Sequence, residues 1–512
     1  MPSNFYITTP IYYVNDVPHI GHAYTTIACD TIARFKRLQN HEVMFLTGTD
    51  EHGQKVEKSA FDASMDPKKF TDKVSKRFLE LTKTLETSND DFIRTTEKRH
   101  IDTVKTIWNK LIDKGDCYLG NYKGWYSIRD EAFYSEKEIS IDKNGKKFAP
   151  SGAEVSWVEE PSYFFKLSAW QDKLLEHYEK NPNFIAPKSR RNEVISFVKG
   201  GLQDLSVSRT SFNWGIKVPN DEKHIVYVWL DALTNYISAT GYLNSSENKF
   251  KKFWPADIHI VGKDILRFHA VYWPAFLLAA NIPLPKRIFA HGWWTIEGEK
   301  MSKSLGNVVD PFDMVQKYGI DRVRYYLLRE IPFGQDGDFS NESFIKRVNS
   351  ELSNDYGNLV HRVLSIIYKN YNGIIPSPTQ YIHEEDSHLI EFSNQAYKNV
   401  CNYMEIQEIN NAITEVWKVI RVANIYIDKQ APWSKDIARE RKDTILYNLS
   451  ECIRRVALLS LAFTPNASEK VLDFLGQSKD FRLFSKFNSK LTPGIKITAP
   501  KSLFPKIEKE IM

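Results

Sequence analysis

The sequence has few cysteines and almost no net charge. Its 512 residues include four cysteines, at positions 29, 117, 401 and 452, and no two of them form a CxxC pair. This pattern suggests neither a disulfide framework nor a zinc knuckle. It favours a reducing compartment, which we predict to be the cytoplasm. With 69 Lys and Arg against 64 Asp and Glu, the formal net charge is +5, which permits a nucleic-acid partner without requiring one.

A signal peptide and a membrane span also lack support. The first ten residues, MPSNFYITTP, contain no basic segment followed by an apolar run. The most apolar stretch, FHAVYWPAFLLAANIPL, is interrupted by His269, Pro274 and Asn281. It therefore predicts a buried helix and no membrane association.

The chain begins with the pattern of a parallel α/β sheet. Residues 4–9 predict a strand, residues 22–38 a helix and residues 42–48 a second strand. Residues 115–225 hold short aromatic runs and turns, which indicates an insertion. The α/β pattern resumes at 225–232, and from about residue 346 apolar residues recur at helical spacing. Ligands of such sheets gather at the carboxyl ends of the strands.

His19-Ile20-Gly21-His22 stands where the first loop meets the first helix. Free N–H groups and a partial positive charge at a helix N-terminus favour a phosphate. Two imidazoles add directed donors, and Gly21 leaves room for a nucleotide to approach the backbone. The alternative is that both histidines only cap or pack the helix start, and this motif alone does not decide between the two.

Lys300-Met301-Ser302-Lys303-Ser304 lies in a predicted loop between Gly298 and Gly306. Two ammonium groups on such a loop can reach a leaving pyrophosphate and stabilise its growing charge. Most Lys/Ser runs are solvated basic loops. However, a given five-residue sequence arises by chance in a chain of this length with a probability on the order of 10⁻⁴.

Together the two motifs resemble the signature pair of the class I aminoacyl-tRNA synthetases. The resemblance implies that His19 and His22 contact the ATP phosphates and that Lys300 and Lys303 stabilise the transition state of adenylate formation. ATP with Mg²⁺ is the implied cofactor. The implied fold is a Rossmann-type α/β catalytic domain with a parallel sheet, split by an insertion and followed by an all-α helix bundle. The predicted segments are 1–114 and 226–295 (catalytic domain), 115–225 (insertion), 296–345 (lysine loop and stem contact) and 346–512 (helical anticodon-binding domain).

Further stretches resemble the methionyl-tRNA synthetase family: residues 9–25, 45–53, 227–233, 261–275 and 291–307. By position, Asp50 would hold the ammonium of methionine, while the N–H of Ile11 and the hydroxyl of Tyr236 would meet its sulfur. The implied walls of the side-chain pocket are Tyr13, Trp229, Ala232, Ile265, His269 and Trp273. Aromatic rings suit a thioether, although Trp273 taken singly reads as core. Leu233 stands where many relatives have proline, a difference that would slightly reshape one wall of the pocket.

The same resemblance implies an ATP site made of Asn15, Gly21, Lys263, Asp264, His291, Gly292 and Ser302, with Asp264 on the ribose. It also implies tRNA(Met) as partner. Asn354, Asn358 and Arg362 follow one another at spacings of four, so they share a helix face. By resemblance they read the CAU anticodon while Trp433 stacks on a base. The alternative is a polar outer stripe and a core tryptophan.

Many methionyl-tRNA synthetases carry a zinc knuckle in the insertion. Here Ser127 and Asp130 stand where cysteines are often found, so we predict no metal site and no structural zinc. Relatives that dimerise continue beyond the point where this chain ends, and we therefore predict a monomer.

Two alternatives stay open. One is another class I specificity, although the insertion is much shorter than the editing domains of the leucine, isoleucine and valine enzymes. The other is a non-catalytic tRNA-binding relative. Such a protein would be expected to have lost an ATP-site histidine or lysine, and all four are present.

Overall fold

The computed structural model describes residues 3–15, 17–244, 248–300, 308–379 and 383–508. The first part confirms the predicted order of strand, loop, helix and strand. Helix α1 begins at Ile20 rather than near His22, and strand β3 runs on to Asp50 rather than ending at Gly48. The elements are β1 (Asn4–Thr8), β2 (Tyr12–Tyr13), α1 (Ile20–Leu38), β3 (Glu42–Asp50), α2 (Gln54–Asp62), α3 (Pro67–Thr84), β4 (Asp91–Arg94) and α4 (Lys98–Asp113).

The middle of the chain contains mostly short strands. They are β5 (Cys117–Ser127), β6 (Ala132–Tyr134), β7 (Ser140–Ile141), β8 (Lys147–Phe148), β9 (Ser156–Phe165), α5 (Gln171–Lys180), β10 (Ile185–Ala186), α6 (Lys188–Lys199), β11 (Leu205–Ser206), β12 (Ser208–Arg209), β13 (Lys217–Val218) and β14 (Asp221–Val226). Strands β5 and β9 form a long antiparallel pair inside a four-stranded sheet.

The rest of the chain returns to the α/β pattern and then becomes helical. Its elements are α7 (Val228–Leu233), α8 (Asn235–Ser238), α9 (Lys249–Phe253), β15 (Ile258–Gly262), α10 (Trp273–Ala279), β16 (Ile288–His291), β17 (Trp294–Ile296), β18 (Glu299–Lys300), α11 (Pro311–Tyr318), α12 (Ile320–Arg329), β19 (Gly337–Phe339), α13 (Asn341–Arg347), α14 (Asn358–Asn370), α15 (Glu384–Glu405), α16 (Ile409–Gln430), α17 (Arg439–Ser460) and α18 (Pro465–Phe474). Segments with wider π-helical turns precede α10, at Phe268–Tyr272, and α14, at Val348–Gly357.

The central sheet has seven parallel strands in the order β10-β16-β15-β1-β3-β2, with β4 also paired to β3. Residues 43–50 of β3 are all buried, as expected for a strand covered on both faces. Strand β10 lies within the predicted insertion but returns to this sheet. The segment 225–232, read as the return of the α/β pattern, contains the end of β14, which belongs to a separate three-stranded sheet, and most of helix α7.

The catalytic and helical parts share one hydrophobic core. Buried side chains run without interruption from Phe35 on α1 through Tyr325 on α12 to Trp417 on α16 and Ile453 on α17. The two parts therefore pack as one body. No helix within the described ranges is long and apolar enough to cross a membrane.

A buried arginine joins the same elements by polar contacts. Arg324 on α12 donates to Asp30 Oδ2 of α1 at 2.6 Å and to Thr31 Oγ1 at 3.2 Å. It also donates to the carbonyl oxygens of Ala462 at 3.0 Å and Phe463 at 3.3 Å, just after α17. Arg324 and Asp30 are both fully buried. Burial tends to raise the pKa of Asp30, but the charges of Arg324 and Arg34 hold that pKa below its ordinary value.

Candidate active site

A cleft of about 500 Å³ opens at the carboxyl ends of β1, β3, β15 and β16. Helices α1, α7 and α8 and the segment that follows β16 complete its walls. Fifteen of the residues predicted for ATP and methionine line this one cleft: Ile11, Tyr13, Asn15, His19, Gly21, His22, Asp50, Trp229, Ala232, Tyr236, Asp264, Ile265, His269, His291 and Gly292. The structure therefore brings together side chains that stand up to about 280 positions apart in the sequence.

His19 and His22 form a reciprocal cap at the start of α1. The backbone N–H of Gly21 donates to His19 Nδ1, and that of His19 donates to His22 Nδ1, both at 3.1 Å. The capping role that the sequence left open is therefore real. Because each Nδ1 accepts, each neutral ring carries its proton on Nε2. Burial, followed by the charge of His19, lowers the pKa of His22 well below its ordinary value, so His22 is a neutral donor.

Glycine is needed at position 21 for a structural reason that the sequence analysis did not identify. A Cβ on Gly21 would lie 2.9 Å from Cε1 of His19. The residue therefore leaves room for the capping imidazole as well as for a ligand near the backbone.

The strand pair that leads into the lysine loop borders the same cleft. Strands β17 and β18 are joined by Glu297-Gly298, whose φ values of 51° and 81° are both positive, as in a type I′ turn. Thr295 lines the cleft and is paired with Lys300. The backbone of Lys300 thus lies beside the cleft. The side chain of Lys300, and the whole of Ser302 and Lys303, lie outside the described residues, so their role stays a prediction.

Asp50, at the end of β3, is a buried carboxylate with one unsatisfied oxygen. It is 2% exposed, and its Oδ1 has no hydrogen-bonding partner among the described residues. Burial, followed by the negative charges of Asp231 and Glu131, raises the pKa of Asp50 well above its ordinary value. An ammonium group placed against Oδ1 would supply both the missing donor and the compensating charge.

Tyr236 and His269 form a directed pair in the side-chain pocket. His269 Nδ1 donates to the carbonyl oxygen of Ile265 at 2.9 Å. Burial lowers the pKa of His269 to about 4, so the ring is neutral near pH 7 and its Nε2 accepts. The Tyr236 hydroxyl, 2.8 Å away, donates to that Nε2. The lone pairs of the Tyr236 oxygen, rather than its proton, are therefore left to face a ligand.

Aromatic rings complete the pocket. Trp229 stacks on Phe268, with ring centroids 3.8 Å apart, and meets Tyr13 edge to face at 6.2 Å. Trp273 does not line the cleft. It is buried behind Tyr236, with ring centroids 6.1 Å apart, so it supports the pocket from the core side.

The predicted nucleotide residues meet a tryptophan at the cleft rim. Trp293 Nε1 donates to Asp264 Oδ1 at 3.0 Å. The Lys263 ammonium lies 4.3 Å from the Trp293 ring centroid and pairs with Asp336 Oδ2 at 2.6 Å. Lys263 therefore contacts the rim without lining the cleft. Both nitrogens of His291 are engaged, Nδ1 with the Gly292 carbonyl oxygen and Nε2 with Thr25 Oγ1, each at 2.8 Å.

A second group of predicted residues lies in the helical part. Asn354 and Asn358 are exposed. The guanidinium of Arg362 pairs with Asp428 Oδ1 at 2.6 Å and lies 5.1 Å from the ring centroid of Trp433, which is 50% exposed. The tryptophan is not a core residue. An exposed ring beside a guanidinium and two amides has the chemistry of a platform for unpaired bases.

Comparison with known proteins finds two family profiles that match this chain. The family profile described as tRNA synthetases class I (M) covers residues 5–364, and that described as anticodon binding domain of methionyl tRNA ligase covers residues 375–512. The chain belongs to the methionyl family of class I tRNA synthetases. The predicted family, fold class and enzyme class are thereby confirmed.

Individual methionyl enzymes match over the whole chain. The methionine–tRNA ligase of Rickettsia bellii is 57% identical over 99% of this chain and 100% of its own length, and that of Brucella melitensis biotype 1 is 49% identical over 98% of both. The structure of Mycobacterium tuberculosis methionyl-tRNA synthetase in complex with methionyl-adenylate is 46% identical, with a TM-score of 0.96 over 98% of this chain and 100% of that one. The free form of the same enzyme gives 0.89 at 44% identity.

In the insertion, the positions where methionyl-tRNA synthetases often have cysteines hold a polar cluster. The N–H of Asp130 donates to Ser127 Oγ at 3.2 Å, and Tyr134 donates to Asp130 Oδ2 at 2.9 Å. Ser151 also donates to Asp130 Oδ2. Within the part of the chain that the structure describes, no group of three or more His, Cys, Asp or Glu residues could hold a metal ion. The absence of zinc stays a prediction.

The sequence analysis missed some residues of the cleft, because no motif distinguishes them from residues that only pack the fold. Lys55 and Asn235 line the cleft, although they lie outside both signature motifs and outside the stretches that carry the family resemblance. Thr25 also lines the cleft and stands in the stretch 9–25. Trp293 could have been noticed, because it stands in the stretch 291–307 that carries the family resemblance. Its hydrogen bond to Asp264 depends on how β15 and β16 lie side by side.

Proposed function

We propose that the chain activates L-methionine with ATP to methionyl-adenylate and pyrophosphate, and then transfers the methionyl group to the 3′ end of tRNA(Met). The observation that carries this is the single cleft that unites three features. They are a helix N-terminus capped by two imidazoles, a buried carboxylate with an unsatisfied oxygen, and a pocket of aromatic rings. The family membership agrees with it.

The first step needs no protein nucleophile. The carboxylate of methionine attacks the α-phosphorus, and the bond to the β-phosphate bridging oxygen breaks as pyrophosphate leaves. The protein therefore contributes position and charge stabilisation. His19 and His22 would donate from Nε2 to the phosphates, and Lys300 and Lys303 would stabilise the charge that builds on pyrophosphate. Asn15, Gly21, Lys263, Asp264, His291, Gly292 and Ser302 would surround the nucleotide.

Mg²⁺ is expected to arrive with ATP. Since no protein cluster of three ligating side chains exists among the described residues, the phosphate oxygens and water would hold most of its coordination sphere. It would offset the negative charge of the phosphates.

Methionine would lie with its ammonium at Asp50 and its thioether among the rings. Ile11 N–H is the donor assigned to the sulfur, because the proton of Tyr236 is directed to His269. Tyr13, Trp229, Ala232, Ile265 and His269 would enclose the side chain, with Trp273 behind them. A polarizable sulfur gains from such ring contacts more than a branched aliphatic side chain does.

The second site would read the CAU anticodon of tRNA(Met). Asn354 and Asn358 offer exposed amides, Arg362 offers a guanidinium and Trp433 offers a stacking surface. Each is suited to an unpaired base.

ATP–pyrophosphate exchange with a panel of twenty amino acids, followed by charging of tRNA(Met), tests the proposal. We expect exchange with methionine to exceed exchange with leucine, isoleucine or valine by at least about 100-fold. Strongest exchange with another amino acid would show a different class I specificity. Binding of tRNA without any exchange would show a non-catalytic tRNA-binding protein.

Three further parts of the proposal have their own measurements. A monomer is expected, and light scattering at micromolar concentration would detect a dimer. Location in the cytoplasm is expected and is checked by cell fractionation. Purified protein is expected to lack stoichiometric zinc, and tightly bound zinc in an elemental analysis would overturn that expectation.

A further inference from the structure

Glu131 is a buried acidic residue at the turn between β5 and β6, in the insertion. It is only 1% exposed, and its φ of 47° lies in the left-handed region, which is unusual for a side chain of this size. Its carbonyl oxygen accepts the hydroxyl of Tyr227 at 2.8 Å. Residues held in such a conformation inside a structure are often part of a functional arrangement.

One carboxylate oxygen of Glu131 caps a helix of the catalytic domain. Helix α2 begins just after Gly53, which provides no side-chain cap. Glu131 Oε1 accepts the N–H of Lys55 in the first turn of this helix at 3.3 Å. A Cβ on Gly53 would lie 2.5 Å from Oε1, and the φ of Gly53 is 102°. Only glycine at this position lets the carboxylate come so close, and this glycine ends the loop that begins at Asp50.

The other carboxylate oxygen of Glu131 is an unsatisfied acceptor in the part of the chain that the structure describes. Glu131 Oε2 and the Tyr13 hydroxyl are both buried, and neither has a hydrogen-bonding partner that meets full geometry within the described chain. Lys55 lies between the two residues, since its N–H donates to Glu131 Oε1 at 3.3 Å and its ammonium lies 5.0 Å from the Tyr13 ring centroid. Lys55 and Tyr13 both line the cleft. In agreement with this geometry, burial and then the charge of Glu131 raise the pKa of Tyr13.

We propose that Glu131 is a positioning residue for methionine activation. Through Oε1 it fixes the start of α2, and with it the short loop that follows Asp50. Through Oε2 it accepts the Tyr13 hydroxyl and so holds the Tyr13 ring against the pocket. The insertion thereby sets the shape of the methionine site without touching methionine. This inference rests on the proposed placement of methionine between Tyr13, Trp229 and Asp50.

The test is a double-mutant cycle between Glu131 and Tyr13, measured by ATP–pyrophosphate exchange. Glu131→Ala is expected to raise KM for methionine about tenfold, because it leaves a buried hydroxyl and a helix N–H unsatisfied. It should change kcat and KM for ATP by less than about twofold. Glu131→Gln should restore KM to within about threefold of the wild type, since its amide can accept from Lys55 and donate to Tyr13. In a Tyr13→Phe background, Glu131→Ala should raise KM by only about two- to threefold.

Three results would overturn the inference: an unchanged KM for methionine in Glu131→Ala, equal effects of the Ala and Gln variants, or the same effect of Glu131→Ala in both backgrounds. If Glu131→Ala does not fold, Tyr13→Phe alone tests the contact, with an expected rise in KM for methionine of about threefold, and an unchanged KM counts against it.

Glu136→Ala is the matched control, because Glu136 contacts Trp125 and Lys147 of the same insertion. Trp229→Ala tests the pocket itself. If it raises KM for methionine while the Glu131 variants do not, only this inference fails, and if it has no effect the proposed pocket fails.

Discussion

Replacement of Asp50 by asparagine is the sharpest test of the methionine site. The substitution keeps the shape of the side chain and removes its charge, so the ammonium of methionine would lose a charge-assisted partner. Such a contact contributes about 1.5–3 kcal/mol, which corresponds to a rise in KM for methionine of roughly 10- to 100-fold. ATP–pyrophosphate exchange measures this, and KM for ATP should change by less than about twofold because the phosphates bind elsewhere in the cleft.

The pH dependence of the same reaction provides a second readout. The pKa of Asp50 is raised in the free protein, chiefly by burial. As the pH falls through that raised pKa the carboxyl becomes neutral and can no longer pair with ammonium. On acidification, KM for methionine in the wild type should therefore begin to rise at a higher pH than it would if Asp50 had the pKa of an ordinary aspartate. Asp50→Asn should abolish this rise.

The loss of activity in Asp50→Asn should not be accompanied by a loss of stability. A carboxyl whose pKa is raised by folding favours the folded state only when protonated, and this contribution is lost as the pH rises through the folded pKa. Above the raised pKa, the buried negative charge of Asp50 therefore opposes folding, and Asp50→Asn should not lower the thermal midpoint. Asp62→Asn, an exposed aspartate on α2, is the control. A KM for methionine within twofold of the wild type, or an equal rise in KM for ATP, would refute the assignment of Asp50.

Three further substitutions address other parts of the molecule. Lys303→Ala should slow adenylation by about 10²–10³, the usual loss for one transition-state donor, while tRNA affinity in a filter-binding assay stays unchanged. Trp433→Ala should lower kcat/KM for tRNA(Met) by roughly 10- to 100-fold through loss of base stacking, with tRNA-independent exchange intact and Phe61→Ala, an exposed aromatic on α2, as control. Arg324→Met should destabilise the fold by about 3 kcal/mol in urea unfolding, because it removes one of the two arginines that pair with the buried Asp30 and leaves only Arg34. The pKa of Asp30 is lowered in the wild type, so this pair stabilises the protein above the unfolded pKa and loses that effect as the pH falls through the folded one, which a series of unfolding curves would show.

Local pattern was enough to predict the framework of the catalytic sheet. The run of apolar residues in β3 and the loop before α1 are visible in the sequence, because a buried parallel strand and a helix start each have their own signature. The segment around Trp229 misled the analysis. Its apolar residues suit a buried strand and a buried helix equally well, and tertiary packing against Phe268 selected the helix.

Contacts between distant residues escaped sequence analysis. The sequence around Glu131 does not indicate that its carboxylate contacts the segment at Gly53, because this contact depends on how the insertion packs on α2. The direction of the Tyr236 proton was also hidden, because it follows from the carbonyl oxygen of Ile265 that fixes the His269 tautomer. The π-helical turns at Phe268–Tyr272 and Val348–Gly357 leave no periodic trace in so short a span, yet they carry His269 and Asn354.

The arginine shared by α1, α12 and the end of α17 limits how enzymes of this family can be recombined. A chimera that takes the helical bundle from one relative and the catalytic half from another would have to bring matching partners for Arg324, namely an acidic group at position 30 and a chain path that presents the carbonyls of Ala462 and Phe463. The junction of such a chimera should be chosen so that Arg324 and its partners come from the same relative, even where sequence composition suggests another domain boundary.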